Sequence, residues 1–238
     1  MCSSDLYDES MLVYLLALGS PGKALDRSAW DAWASGLNAA WGQEYGQSYV
    51  RFPPLFGHQF TPCWVDLRGV QDDFMRGKGM DYFENSRRAT LAQRAYAIAN
   101  PQGWAGYGAD IWGVSACDGP ADVVRDFGGR SRKFISYAGR GMGLYDDGTI
   151  APYAAGSSIA FAPEVVVPAL TAMKQRYGSE IYGRYGFVDA FNPSFAFTDV
   201  KLTHGRIAPG VGWVDTDHLG IDQGPLLAML GNYRGEVV

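Results

Sequence analysis

The chain has 238 residues, 47% of them hydrophobic and 19% charged, with Lys+Arg 20 against Asp+Glu 25 and a net charge of −5. That supplies a buried core for one large domain or two small ones, and too little positive charge for a nucleic-acid surface. No stretch has the length of a membrane span, the three cysteines form neither a CxxC pair nor an even framework, and the three histidines lack zinc-ligand spacing.

Residues 1–6 (MCSSDL) read as a non-native leader before a domain at 7–238, one expected to be truncated at its start, with its end a second candidate for truncation. Residues 7–18 have helical period and stop at Gly19-Ser20-Pro21-Gly22. A second helix, capped by Asp26 or Ser28, carries Trp30, Trp33 and Leu37. Two prolines make 52–59 (FPPLFGHQ) a loop, 64–70 fits strand or helix, and 72–80 looks helical. The clearest helix is 81–101. Asn85 or Ser86 caps it, Leu91, Ala92, Ala95, Tyr96 and Ala99 line one face, and Asn100-Pro101 ends it.

A long loop at 104–127 leads into 128–145, Gly- and Arg-rich and expected to be a mobile or inserted segment that shapes a subsite. After an irregular stretch, Pro163 suits a first helical position and Glu164 the positive end of the helix dipole. Val166, Ala169, Leu170, Met173 and Tyr177 then recur at helical spacing, and Gly178 stops them. An aromatic loop (182–195), a turn-rich segment (204–212) and a helix at 219–233 finish the chain. With little β-alternation, the pattern predicts an all-α scaffold whose long loops build a site at one end.

Carboxylates are the candidate reactive groups. Asp81 and Glu84 lie three apart at a helix start, where spacing alone favours a capping pair over a catalytic one. Glu164 is also a helix-initiating residue by default. A catalytic role needs a raised pKa, which the preceding Ile159-Ala160-Phe161 would favour and the helix dipole oppose. Asp118 and Asp147 sit in turn dipeptides, and Asp222 reads as a helix cap. Asp189 and Asn192, set among aromatics, need polar partners. His58, Gln59, Asp66 and Arg68 divide evenly between buried polar groups and sugar contacts.

Six segments together carry a resemblance: FGHQFTPCWVDLRG (56–69), DYFENSRRA (81–89), YGADIWGVSACDGP (107–120), residues 147–164, YGFVDAFN (185–192) and GIDQGPLLAMLGNYR (220–234). In this order they resemble the glycoamylase-like domain family, which includes endo-β-1,2-glucanases and a domain of cyclic β-1,2-glucan synthases. The resemblance implies an (α/α)6 toroid, of which this chain would form the C-terminal part. It implies Glu164 as general acid, with Asp81 and Glu84 as the acidic pair across the cleft. His58, Gln59, Asp66, Trp112, Asp118, Asp189 and Asp222 match substrate-binding or supporting positions. Thr61-Pro62-Cys63 and the long 123–145 segment depart from the family pattern where subsites would lie.

The expected function is glycoside hydrolysis of a β-glucan, best matched to β-1,2 linkages, through two carboxylates and with no metal or organic cofactor. The partner is the glycan, and the expected location is periplasmic or secreted. A glycan-binding or transglycosylating module is the alternative.

Overall fold

The computed structural model describes residues 7–235, so the proposed leader at 1–6 lies outside the described residues. In chain order the elements are α1 (Met11–Leu18), α2 (Ser28–Ala34), α3 (Leu37–Ala40), β1 (Trp41–Glu44), β2 (Gln47–Val50), α4 (Asp73–Gly77) and α5 (Tyr82–Ala99). There follow β3 (Ala116–Asp118), β4 (Val123–Phe127), β5 (Arg130–Phe134), β6 (Tyr137–Gly139), α6 (Pro152–Gly156) and α7 (Pro163–Tyr177). The chain ends through β7 (Tyr182–Gly183), β8 (Gly186–Phe187), β9 (Phe191–Asn192), β10 (Arg206–Ala208), β11 (Gly212–Val214) and α8 (Gly220–Arg234).

The all-α toroid is therefore corrected. With 38% helix and 18% strand the chain is a mixed α/β fold. Among the described residues the strands form a three-stranded antiparallel sheet, β10-β11-β9, and four two-stranded ones. Each strand is only two to five residues long, too short to show the alternation that reveals a strand in sequence.

α5 organises the core. It starts earlier than the sequence suggests, because the Asp81 side chain accepts from the Glu84 N–H at 2.7 Å and caps Tyr82 onward. Asn85 and Ser86 are consequently buried inside the helix. Asn85 and Gln93 satisfy loops: Asn85 Oδ1 accepts from Val50 N (2.7 Å), and Gln93 exchanges two hydrogen bonds with the Val114 backbone (2.6 and 2.8 Å). At the far end Asn100 adopts φ 42°, and its side chain bonds Trp104 N and O at 2.8 Å. The segment from α6 to Phe161 packs antiparallel to α5, through Thr90–Ser158 (3.0 Å) and Arg87–Phe161 O (2.7 Å). A side chain at Gly156 would come within 2.7 Å of Leu226, so glycine allows α6 to meet α8.

The 128–145 segment is structured, and Phe134, Arg140 and Met142 carry it into the core. β4 and β5 pair as a hairpin, and β6 pairs with β3, setting Tyr137 opposite Asp118. Arg140 follows and is fully buried. It forms a two-point ion pair with Asp147 (2.8 and 3.0 Å) and donates to Cys117 O (2.6 Å) and Ile135 O (2.8 Å). Asp147 is thus no mere turn former: it also accepts from Ile135 N, Thr149 N and the Tyr145 hydroxyl. Burial pushes the Asp147 carboxyl up, but the Arg140 guanidinium more than offsets this and holds it below the usual range. A Cβ at Gly119 would lie 2.4 Å from Arg140 Nη2, so only glycine fits there.

Arg140→Leu should destabilise the protein by about 3–5 kcal/mol in urea unfolding, because it strands a buried carboxylate. Arg140→Leu combined with Asp147→Leu should cost less than the single change.

Candidate active site

The structure distributes the ten sequence candidates over the two ends of the helices and the core between them. At one end, Asp81 spends both carboxylate oxygens on backbone N–H groups, of Glu84 (2.7 Å) and Gly69 (2.8 Å). Glu84 pairs with Arg88, one turn on, at 2.7 Å. Asp66 pairs with Arg68 at 3.0 Å. Glu164 pairs with Arg87 at 2.7 Å, with half of its side chain exposed. The hydrogen bond from Arg87 holds the Glu164 carboxyl below the usual range, the opposite of what a proton donor at neutral pH needs. The hollow beside these groups, lined by Asp66, Phe83, Phe161 and Asn232, has a volume of about 10 Å³, room for roughly one water.

His58, Gln59 and Trp112 are core residues. His58 stacks on Tyr7 with centroids 5.0 Å apart, and burial depresses its pKa to about 3. The Gln59 side-chain amide donates to Ala154 O (2.6 Å) and Ser158 Oγ (2.8 Å). Trp112 is wholly buried.

Asp118, Asp189 and Asp222 do come together, at the other end. Asp222 is in the first turn of α8, whereas Asn232, which bonds Pro62 O and Cys63 O beside the small hollow, is in its last. Ten residues of helix, about 15 Å, separate the two ends. The Asp118 N–H donates to Asp189 Oδ2 at 2.8 Å, and the Asp189 and Asp222 carboxyls lie close enough to shift each other's acidity. Asp215, which the sequence reading missed, joins them: one oxygen from each of Asp118, Asp189 and Asp215 lies within 4.8 Å of the others. His204 Nδ1 stands 4.0 Å from Asp118 Oδ2.

Among the described residues no lysine or arginine forms an ion pair with this cluster. Asp189 Oδ1, Asp215 Oδ2 and Asp222 Oδ2 are buried without a partner. Burial is therefore the largest influence on their acidities, and the charge of neighbouring carboxylates adds to it. Asp222 is raised by desolvation, by its close contact with Asp189 and by surrounding negative charge. Desolvation also raises Asp189, and it pushes Asp215 up to about 6. The Asp189–Asp222 pair thus retains a shared proton at pH values where an ordinary carboxyl has lost it. The oxygen cluster also has the spacing of hard-cation ligands, as does Asp118 with His204 and Asp217. The histidine spacing in the sequence carries no sign of either set.

The pair opens into a cavity of about 240 Å³, walled by Phe56, Phe60, Tyr137 and Tyr153 and by Leu219 and Ile221 at the start of α8. The Tyr153 hydroxyl is tied to Ser115 Oγ (2.9 Å) and Ala116 O (2.7 Å), so its ring is fixed in the wall. Glu9, from the turn before α1, lines the same cavity. Asp215, His204, Tyr137 and Glu9 carried no recognisable signal: Asp215 and His204 lie in turn-rich sequence, and Glu9 adjoins an apolar helix. An aromatic-walled hollow with a protonated carboxyl pair suits acid catalysis on a sugar.

A solved "putative glucoamylase" from Bacteroides uniformis superposes with a TM-score of 0.77 at 30% identity, over 97% of this chain and 50% of that one. The endo-β-1,2-glucanase of Chitinophaga pinensis, solved with sophorotriose and glucose, gives 0.76 at 28% identity over the same shares. An exo β-1,2-glucooligosaccharide sophorohydrolase acting at the non-reducing end, from Parabacteroides distasonis, is 28% identical over 96% of this chain, which spans only 30% of that relative. A family model described as "Glycoamylase: Putative glucoamylase" matches residues 2–238. The chain belongs to this glycoamylase-like family.

Proposed function

We propose that this chain carries the acid side of a β-glucan hydrolase cleft, with β-1,2-linked glucan as its substrate. The observation that carries the reading is the buried Asp189–Asp222 pair on the wall of an aromatic cavity. The β-1,2-glucan activities named for two similar proteins support the choice of linkage. In this reading Asp222 gives the shared proton to the glycosidic oxygen as the bond breaks, and Asp189 takes up the negative charge. Asp118 and Asp215 keep the proton on the pair by their charge, and Phe56, Phe60, Tyr137 and Tyr153 supply apolar faces for sugar rings. The proton donor is thereby moved from Glu164, which has an arginine partner, to a carboxyl that has none.

The direct test is sugar release from β-1,2-glucan oligosaccharides, set against β-1,3 and β-1,4 panels, by the protein that carries this chain. Release confined to the other panels, or glycan retention with no release, would end the reading. Asp222→Asn should lower turnover by about 10²–10⁴-fold with little change in melting temperature. Glu164→Gln should leave turnover within a few-fold and cost no more than about 1 kcal/mol of stability, the worth of an exposed ion pair.

Activity should fall on the alkaline side as the pair loses its proton. Stability should behave similarly. Asp215 binds its proton more tightly folded, with a pKa of about 6, than unfolded, with a pKa of about 3.9. Its contribution is full below the unfolded value and lost as pH rises through the folded one. Asp215→Asn should flatten that loss in melting curves between about pH 4 and 7. Activity should also survive EDTA. Loss on chelation and recovery with calcium would assign the cluster to a cation.

A further inference from the structure

Proton transfer from Asp222 requires a fixed first turn of α8, and the local sequence does little to fix it. The turn reads Gly220-Ile221-Asp222-Gln223-Gly224-Pro225. Glycine and proline are the poorest helix formers, and Pro225 has no N–H to give to Ile221 O. Leu219 at the N-cap offers no side-chain acceptor to the free N–H groups of the helix start. The Asp222 and Gln223 N–H groups share one acceptor, Leu219 O, at 3.2 and 3.0 Å. The position of this turn must therefore be set from outside the helix.

Gln223 supplies the link. Its side-chain amide donates to Phe187 O at 2.9 Å. Phe187 ends β8, two residues before Asp189, and is itself held: it pairs with Tyr182 of β7, and the next N–H, of Val188, donates to Ile181 O at 3.0 Å. The Asp189 N–H donates to Asp217 O at 3.0 Å, two residues before Leu219. A closed circuit results. The Asp189 backbone is tied on one side to the segment entering α8 and on the other, through Phe187 and Gln223, to α8 itself. Gly186 leaves room for this: at φ 92° it is suited to glycine, and a Cβ there would come within 3.2 Å of Gln223 Oε1. Leu219, Ile221 and Asp222 line the cavity, whereas Gln223 stands outside its lining. Any effect of Gln223 on the sugar must pass through these neighbours.

We infer that Gln223 is a positioning residue of the acid site: by joining the first turn of α8 to β8, it fixes the Asp222 carboxyl against Asp189. This rests on the hydrolase reading above. Without the amide, a turn rich in glycine is free to shift, and a displacement of about 1 Å at a reacting group costs about 10²-fold in rate.

The test compares Gln223→Met, Asp222→Asn and the double variant in the protein that carries this chain, with kcat and KM measured on β-1,2-glucan oligosaccharides. Methionine keeps the length of the side chain and removes the donor. Gln223→Met should lower kcat by about 10²-fold, while KM, retention on a β-1,2-glucan affinity gel and melting temperature stay near wild type. Because Gln223 acts through Asp222, adding Gln223→Met to Asp222→Asn should lower the residual kcat little further. Near-normal kcat in Gln223→Met, with Asp222→Asn inactive, would overturn the role of Gln223 and leave the hydrolase reading standing. Losses that multiply in the double variant would equally overturn it. So would a fall in kcat matched by a raised KM or a lowered melting temperature, the mark of a binding or structural residue. Wild-type protein that released no sugar from any β-glucan would remove the hydrolase reading, and the inference with it.

Discussion

The fully buried Arg140–Asp147 ion pair is the constraint on which the site depends. A guanidinium in the interior must have its N–H groups satisfied, and here they reach Asp147, Cys117 O and Ile135 O. These partners come from the β3 strand, the β5–β6 connection and the turn before α6. The residue after Cys117 is Asp118, and the cross-strand partner of Asp118 is Tyr137. One cation therefore sets the β3–β6 wall, on which Cys117 and Tyr137 line the cavity and Asp118 joins the acidic cluster. Asn192 extends the network, donating to Asp147 O (2.9 Å) and Thr149 Oγ1 (3.1 Å), and so brings in β9 just beyond Asp189.

The two ends of the helical layer differ in electrostatic character. Where Asp66, Glu84 and Glu164 lie, each has its own arginine, and Asp81 has backbone N–H groups. Charge there is neutralised locally, which stabilises helix starts but leaves no acidity out of place. Around Asp189 and Asp222 no arginine or lysine forms an ion pair among the described residues, and the charge of Arg140 offsets the burial of Asp189 only in part, so the free-energy penalty appears as retained protons. Proteins tolerate such a site where the misplaced acidity does something useful.

Local chemistry in the sequence was a good guide to the long helices. Pro163 at the start of α7, Gly178 after it and the apolar spacing between them act within a few residues, and the structure keeps them as read. The α5 start was displaced by one turn because Asp81, Asn85 and Ser86 are all competent caps. Burial of Asn85 against Val50, far away in sequence, decided among them. The short strands were not legible, since two to five residues carry no reliable period and their pairing partners lie across loops.

Of the site, the sequence by itself determined which carboxylates exist and that loops rich in aromatics would build a cleft. Family-like blocks also marked Asp118, Asp189 and Asp222. Only the tertiary structure decided which carboxylates find an arginine and which find one another. Glu164 and Asp222 look alike as sequence, since each stands in the first turn of a helix. They differ because Arg87 of α5 bonds Phe161 O and reaches Glu164, whereas α8 begins against a loop that presents Asp189. Acidity follows the charges and the water within a few ångströms, and the deciding partners, Arg87 for Glu164 and Asp189 for Asp222, come from parts of the chain more than thirty residues away.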